Sequence, residues 1–487
     1  MRDTSRLIVV SNRLPVTVSC SGDLRPSSGG LVTALGPLLK TIPSTWIGWT
    51  GTDYAPGIDS QLNAMDHHQR KLVPVYLTEY EKEKFYLGFA NQVLWPLFHN
   101  MQTLCNFDAS YWDAYQAVTE KFADAVTASA MPDDLVWVHD YHLMLLGRSL
   151  RRRRLGLRLA YFHHVPFPGP DTFATLPTGE TILRAMLSFE RIGFQTSGDR
   201  HNFLQCLRNA FGRRLRLLRR REELVVQFEG TSTSLLTSPI GIDSQKFATL
   251  AGSSEVAVQM QSLDSAFRGS RMMLGVDRLD YTKGVPQRLS AYKMLLEQHP
   301  ELQGELVLLQ LIIPSREEVP EYESLRLSVE RQISEINGTF GRPRWTPIVY
   351  MHRSIPCEEL VALYRSATAM LVTSLKDGMN LVAKEFCASK VDQSGVLVLS
   401  KFAGASQELC NGAVLVNPHD IAGLAQSFFT ALTMSRSEVR TRMAAMQKAV
   451  MHNDIWHWCS SALGNNVGGR SRNFTPRAAL ASTVAVA

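Results

Sequence analysis

Short aliphatic runs alternate with amphipathic stretches over most of the chain. In the first half the runs fall at 7–11, 46–49, 72–77, 135–139, 158–163 and 190–196, and in the second half at 271–276, 306–313, 347–351, 369–373, 396–400 and 413–416. Apolar runs this short, bounded by turn formers, predict buried strands. Helical periodicity lies between them, as in Pro286 to Gln298 and Ile421 to Thr433. Strand and helix in alternation predict an α/β fold with parallel sheets and crossover helices. The two series predict two doubly wound domains. Ser238-Pro239-Ile240-Gly241-Ile242-Asp243, punctuated by Pro and Gly, is the predicted linker.

Composition narrows the class. A chain of 487 residues exceeds one compact core, and two domains of about 240 residues fit it, although length alone allows three. Hydrophobic content of 45% and charged content of 20% are those of an ordinary globular protein. The net charge of +6 suits a phosphate-bearing ligand as well as a nucleic acid. The seven cysteines are scattered and never form a CxxC pair, which argues against a disulfide framework and a zinc site and for a reducing cytosol. Strand Leu7-Ile8-Val9-Val10 comes so early that a secretory leader is not expected. No apolar run approaches the roughly 20 residues that span a membrane. From about Gly464 the Gly-Gly, Arg and Ala/Ser/Thr/Val content predicts a disordered tail.

Polar residues gather just past the strand ends, where doubly wound folds place their sites. The most informative run is Asp377-Gly378-Met379-Asn380-Leu381-Val382-Ala383-Lys384-Glu385, between the apolar run 369–373 and a predicted helix. Backbone N–H groups at such a helix start attract phosphate. Glu385, one turn further on, suits sugar hydroxyls instead. Arg278 and Lys283, in Gly275 to Gly284, sit between a strand and a Pro-initiated helix, where two cations can hold a diphosphate. Arg316 follows strand 306–313 in an equivalent place. Asn12-Arg13 and Ser28-Gly29-Gly30 follow the first strand, and a Gly pair at a helix start lets backbone approach a phosphate. Taken alone, that pair reads better as a loop and cap. His139-Asp140-Tyr141-His142 and His163-His164 end two further strands. Their spacing lacks the HxH, CxxC or HExxH of a metal site, so no metal is expected; a sugar-hydroxyl site using Asp140 and a histidine is weighed evenly against structural histidines. Tyr86 and Trp95 resemble a carbohydrate-stacking set, although aromatics at such spacing are more often core. The arginine runs 151–154 and 213–221 read as a solvated helix face or an exposed loop, because no interleaved aromatics or nucleic-acid motif accompanies them.

In order and spacing these motifs resemble the trehalose-6-phosphate synthases, the retaining glycosyltransferases of family 20. The pieces are Val9 to Arg13, Ser28 to Leu31, Gly48 to Gly51, Asn91 to Pro96, Trp137 to Leu143, His164 to Pro168, Ile192 to Thr196, Arg278 to Gly284, Ser315-Arg316, Asp377 to Glu385, Val396 to Ala405 and Val416 to Pro418. The resemblance runs from about residue 6 to about 459. It implies the GT-B arrangement, two facing Rossmann-like domains with the active site in the cleft between them. The implied domains are 1–240 for glucose 6-phosphate and 241–440 for the nucleotide sugar, with a C-terminal helix at 441–463 packing back on the first domain and a tail at 464–487. It also implies transfer of glucose from UDP-glucose to glucose 6-phosphate, without cofactor, in a cytoplasmic homo-oligomer (dimer or tetramer).

By resemblance, Arg13, Trp49, Tyr86, Trp95 and Arg316 hold glucose 6-phosphate, the two arginines on its phosphate, and Asp140 meets the acceptor sugar near the reacting oxygen. Gly29, Gly30, Arg278 and Lys283 meet the donor diphosphate. His164, Asp377, Met379 and Asn380 line the donor glucose, Leu381 and Val382 give backbone contacts, Glu385 takes the ribose, and Ile355 meets the base. Asp140, His164, Arg278 and Lys283 are the implied catalytic set. The inventory holds no convincing carboxylate nucleophile, so front-face displacement is the expected mechanism. Other donor nucleotides, glycerol 3-phosphate as acceptor, a non-catalytic sugar-phosphate sensor and a nucleic-acid binder are the rival readings. The chain departs from the family pattern at His163, where an aliphatic residue is commoner.

Overall fold

The computed structural model describes residues 6–18, 24–26, 29–39, 42–52, 57–64, 70–153, 155–220, 223–267, 269–315 and 319–464. Two twisted sheets carry the architecture. The strands of the first half are β1 (Leu7–Arg13), β2 (Val16–Val18), β3 (Leu24–Pro26), β4 (Ser44–Trp49), β5 (Arg70–Val75), β6 (Leu135–His139), β7 (Arg158–His163), β8 (Arg191–Phe194), β9 (Arg216–Arg220), β10 (Glu223–Phe228) and β11 (Thr231–Thr237). Those of the second half are β12 (Arg271–Arg278), β13 (Leu306–Ile313), β14 (Ile348–His352), β15 (Ala369–Val372), β16 (Val396–Ser400) and β17 (Val414–Val416).

Among the described residues the first sheet runs β5-β4-β1-β6-β7-β8-β11-β10-β9 and the second β14-β13-β12-β15-β16-β17. The second sheet is parallel throughout, and the first is parallel from β5 to β11. Strands buried on both faces read as continuous apolar runs, which is why the sequence pattern locates them. In each sheet the order reverses beside the first strand of its series, and ligands bind in the crevice that opens there. For the first sheet that crevice lies at the ends of β1 and β6; for the second, at the ends of β12 and β15.

One prediction fails here. Arg213 and Arg214 end an exposed turn, Gly212–Arg214, but the rest of that arginine run is neither helix face nor loop: Arg216–Arg220 forms β9, paired antiparallel with β10, which pairs antiparallel with β11. Arg216 and Arg219 belong to the outermost strand, where charge discourages pairing with another chain. Arg221 and Arg154 lie outside the described residues. The other run is helical and answered by carboxylates, with Arg151 on Glu190 (2.7 Å), Arg152 on Glu120 (2.6 Å) and Arg153 on Asp124 (2.6 Å).

The chain crosses between the sheets twice. The first crossing, Ser238 to Asp243, follows β11 and is largely buried. The second comes at Asn453-Asp454, between the helices Arg436–His452 and Ile455–Leu463. The last helix lies against the first sheet: Trp458 packs 4.8 Å from Trp137 and 5.0 Å from Phe162, ring centre to ring centre. The two crossings touch, because Ile455 N–H donates to Ile242 O at 3.1 Å. Among the described residues no helix is long and apolar enough to cross a membrane.

Candidate active site

The first wall of the cleft begins where β1 ends. After a register shift in β1, Arg13 pairs with Trp49 at the end of β4, and its guanidinium sits 4.7 Å from the Trp49 ring centre. Gly51 has φ +98°, and a Cβ there would run into that guanidinium. Burial draws the Arg13 guanidinium below its ordinary value. Tyr86 meets Trp49 edge-on at 5.4 Å and stacks on His142 at 6.2 Å. Tyr86 rides on a 13-residue π-helix, Lys82–Leu94. Wide turns of this kind are rare and are frequently found at functional sites. The π-helix runs directly into Trp95, which is buried and lies 5.9 Å from Tyr141.

Asp140 follows β6 with φ +72° and ψ 169°, a conformation that glycine favours. Holding a side-chain-bearing residue there costs of order 1–3 kcal/mol. The end of β7 enforces it: Asp140 N–H donates to Phe162 O at 2.8 Å, and its carboxylate accepts from His164 N–H at 3.2 Å.

The histidines separate into two groups. His163 turns inward, among Phe98, Phe167 and Phe194, and accepts from or donates to Tyr161 at 3.1 Å. Burial pushes it down to about 3. His139 and His164 meet ring to ring, Nδ1 to Nε2, at 3.0 Å. Protons along this chain can be placed by elimination. Ile240 N–H donates to Gln195 Oε1 at 2.9 Å, so Gln195 turns its amide nitrogen to His164 Nδ1 at 3.4 Å. His164 therefore carries its proton on Nε2 and gives it to His139 Nδ1, with both rings neutral. Burial, reinforced by the neighbouring histidine, holds His164 at about 3 and His139 well below its ordinary value. Among the described residues no group of three His, Cys, Asp or Glu side chains converges as metal ligands.

The second wall is built around one carboxylate. Asp377 Oδ2 accepts from Lys283 Nζ (2.7 Å), Asn380 Nδ2 (3.1 Å) and Ser374 Oγ (3.2 Å). Burial would raise this acid, but Lys283 and Asn380 outweigh it and hold it below its usual value. Asn380 has φ +82° and caps the helix Leu381–Ser389 by accepting from Ala383 N–H at 3.1 Å. Met379 is buried beneath. Gly378 lies so close to the first wall that a Cβ would strike His164 O. Leu381 and Val382 are half-buried at the helix start. Across from them Gly30 begins the helix Gly30–Leu39, and a Cβ on it would come 2.9 Å from Leu381 Cδ1. Two helix starts from different sheets thus face one space; Gly29 beside them is exposed and open. Glu385 accepts from Tyr364 Oη at 3.0 Å, and burial raises its carboxyl. Ile355 is half-buried in the loop before the helix Cys357–Ser366. Arg278 is exposed at the end of β12 and reaches across the cleft to within 5.8 Å of the Trp95 ring centre.

The structure thus gathers Arg13, Trp49, Tyr86, Trp95, Asp140 and His164 on one wall, and Arg278, Lys283, Asp377, Met379, Asn380, Leu381, Val382 and Glu385 on the other. Arg316 and Ser28 lie outside the described residues. Two supports escaped the sequence reading. Fully buried Arg288 pairs with Asp277 at 2.6 Å and donates to Gln310 (2.8 Å) and Thr373 (3.0 Å), fixing the floor under Lys283. Gln195 is the second. An arginine inside an amphipathic helix pattern signals its own burial weakly, and Gln195, although it falls in the piece Ile192 to Thr196, gives no sign of its partners in the sequence.

The family model described as glycosyltransferase family 20 matches residues 5–465. The chain belongs to glycosyltransferase family 20. Among family 20 relatives, an Aspergillus niger protein named alpha,alpha-trehalose-phosphate synthase [UDP-forming] 2 is 40% identical over 88% of this chain and 90% of its own. A bifunctional trehalose-6-phosphate synthase/phosphatase of Thermoproteus tenax is 38% identical over 96% of this chain, which spans only 64% of that longer protein. A Burkholderia xenovorans alpha,alpha-trehalose-phosphate synthase (UDP-forming) in complex with glucose-6-phosphate superposes with a TM-score of 0.88 at 32% identity, covering 95% of this chain and all (100%) of that one. An E. coli trehalose-6-phosphate structure bound with UDP-2-fluoro glucose gives 0.87 at 35% identity, over 96% and 100%. The two-sheet GT-B architecture of family 20 is therefore that of this chain.

Proposed function

We propose that this family 20 enzyme transfers glucose from UDP-glucose to glucose 6-phosphate, giving α,α-trehalose 6-phosphate and UDP with retained anomeric configuration. The observation that carries the reading is Arg278, a cation from the second sheet poised over the Trp95 face of the first. A diphosphate leaving group and a pyranose acceptor meet where these two lie together. The membership in family 20 and the names of the relatives support the same reaction.

In this reading Arg13, Trp49, Tyr86 and Trp95 hold glucose 6-phosphate, with Arg316 as the second cation on its phosphate, and Asp140 orients the attacking hydroxyl. Arg278, Lys283, Gly29, Gly30 and the backbone of Leu381 and Val382 take the diphosphate. His164, Asp377, Met379 and Asn380 line the glucose, Glu385 takes the ribose and Ile355 the base. Because both ring nitrogens of His164 are engaged within the protein, its contact with the sugar requires release of one of them. The bond from glucose C1 to the diphosphate oxygen breaks as the acceptor oxygen bonds to C1 on the same face. The acceptor proton passes to the departing phosphate oxygen. Preorganised positive charge at that oxygen is the main source of rate. Two cations and a helix start already neutralise the diphosphate, so full activity in a chelator is expected, and a strict divalent requirement overturns this part. A cytoplasmic homo-oligomer, dimer or tetramer, belongs to the same reading and rests on the family resemblance.

The test is UDP release from UDP-glucose by the purified chain, with and without glucose 6-phosphate, and identification of the sugar formed. Release that depends on glucose 6-phosphate and yields trehalose 6-phosphate is expected. Release with ADP-glucose, GDP-glucose or glycerol 3-phosphate instead, or none at all, overturns the assignment.

A further inference from the structure

One linker residue has both its backbone groups taken by buried side chains from opposite sheets. Ile240 N–H donates to Gln195, and Ile240 O accepts from Lys384 Nζ at 2.7 Å. Lys384 lies in the helix Leu381–Ser389, beside Glu385, and is 0% exposed. Its ammonium also pairs at 2.6 Å with Glu408, which is itself nearly buried. Glu408 accepts in turn from Asn453 at 2.8 Å, at the second crossing. A buried ammonium with one carbonyl and one carboxylate has a heavy desolvation cost unless its partners are fixed in place. The helix that begins at the donor-side loop is therefore tied to both crossings through a single atom. From the same residue the chain of contacts continues through Gln195 to His164 on the opposite wall.

We propose that Lys384 is a positioning residue for the transfer: it clamps the Leu381–Ser389 helix to the interdomain linker at Ile240, so that the two walls close in register. The clamp acts between the domains, and so it sets turnover rather than the affinity of the second domain for nucleotide. This deepens the reaction proposed above and rests on it.

The test uses the full chain and its Lys384→Met, Gln195→Leu and double variants, with UDP itself as the probe. Titration calorimetry counts UDP sites, and kcat is normalised to them. Lys384→Met is expected to keep the Kd for UDP within about twofold and to lose at least about tenfold in kcat. The double variant is expected to be no slower than the slower single variant, because both act through Ile240. Unchanged kcat per site, additive losses, or a UDP affinity that falls in step with kcat each overturns the proposal. If Lys384→Met does not fold, Asn453→Ala, which only removes a donor to Glu408, is read by the same criteria with a smaller kcat loss expected. Small-angle scattering separates the two readings: UDP compacts the wild type and fails to compact Lys384→Met if the clamp is right, even where wild-type turnover with UDP-glucose and glucose 6-phosphate is absent. A wild type that UDP does not compact, or a Lys384→Met chain that compacts normally, overturns the clamp.

Discussion

At the end of β15 three donors converge on the Asp377 carboxylate, whereas at the end of β1 Arg13 faces the Trp49 ring, and no carboxylate among the described residues pairs with it. On the second wall Lys283 and Asp377 balance each other, so in the proposed reading an arriving diphosphate competes with Asp377 for Lys283. Among the described residues the first wall's Arg13 has only π-faces beside it, so in the proposed reading it can take a phosphate without giving up a described ion pair. If the walls divide as proposed, the donor side trades affinity for preorganisation of the loop, and the acceptor side does the reverse.

Removing one partner of the paired wall is the harshest way to break this comparison. Lys283→Ala leaves Asp377 buried without its counter-charge and is expected to cost about 3–5 kcal/mol in denaturant unfolding. Lys283→Met with Asp377→Asn should recover most of that stability and none of the turnover. A single variant as stable as the wild type would show that the pair carries no structural burden.

Arg278→Ala comes next. Arg278 is exposed and has no part in the core, so the fold should survive while kcat falls about 10²–10³-fold. Near-normal kcat would sink the role given to it.

Acid should separate the walls by pH window. His99, His163 and His164 stand in or beneath the first wall, held by burial at about 4, 3 and 3. Their folded values lie below the unfolded 6.5, so the unfolded chain binds more protons between those limits, and stability is lost as pH falls from 6.5 toward 3. Asp377, held below 3.8, keeps its contribution until pH falls past that point. His163→Leu should therefore flatten the upper part of the acid limb by up to about 1.4 kcal/mol per pH unit. An unchanged slope in unfolding experiments from pH 7 to 4 would refute the assignment.

Arg13→Lys is the mildest change. It keeps the charge and loses the planar fork and its stacking on Trp49, worth about 1 kcal/mol. The KM for glucose 6-phosphate should rise about fivefold with kcat nearly constant.

Local physics made much of this fold legible. Apolar runs of the right length gave the parallel strands, and Asp377 to Glu385 showed a turn, a cap and a helix start within nine residues. The antiparallel extension stayed hidden because β9 is an outer strand rich in arginine, and its polar pattern resembles a solvated surface. The π-helix that carries Tyr86 stayed hidden because the apolar pattern does not report its wide turns, one of which is bridged internally by the donation of Asn91 Nδ2 to Tyr86 O at 2.7 Å. Lys384 looked like any helical lysine, because the carbonyl that accepts from it lies 144 residues away. His139 and His164 stand 25 residues apart, and only the adjacency of β6 and β7 brings their rings together.

The return of Trp458 to the first sheet has a consequence for how the chain is made. A ribosome adding about 5–20 residues per second needs roughly 10–45 s to travel from the linker to that tryptophan. Throughout that interval the nascent first domain lacks the ring that completes the cover of Trp137 and Phe162. The first domain is thus the first to emerge and the last to be finished, and a message truncated before Trp458 yields a protein with an open apolar face for chaperones and proteases to find.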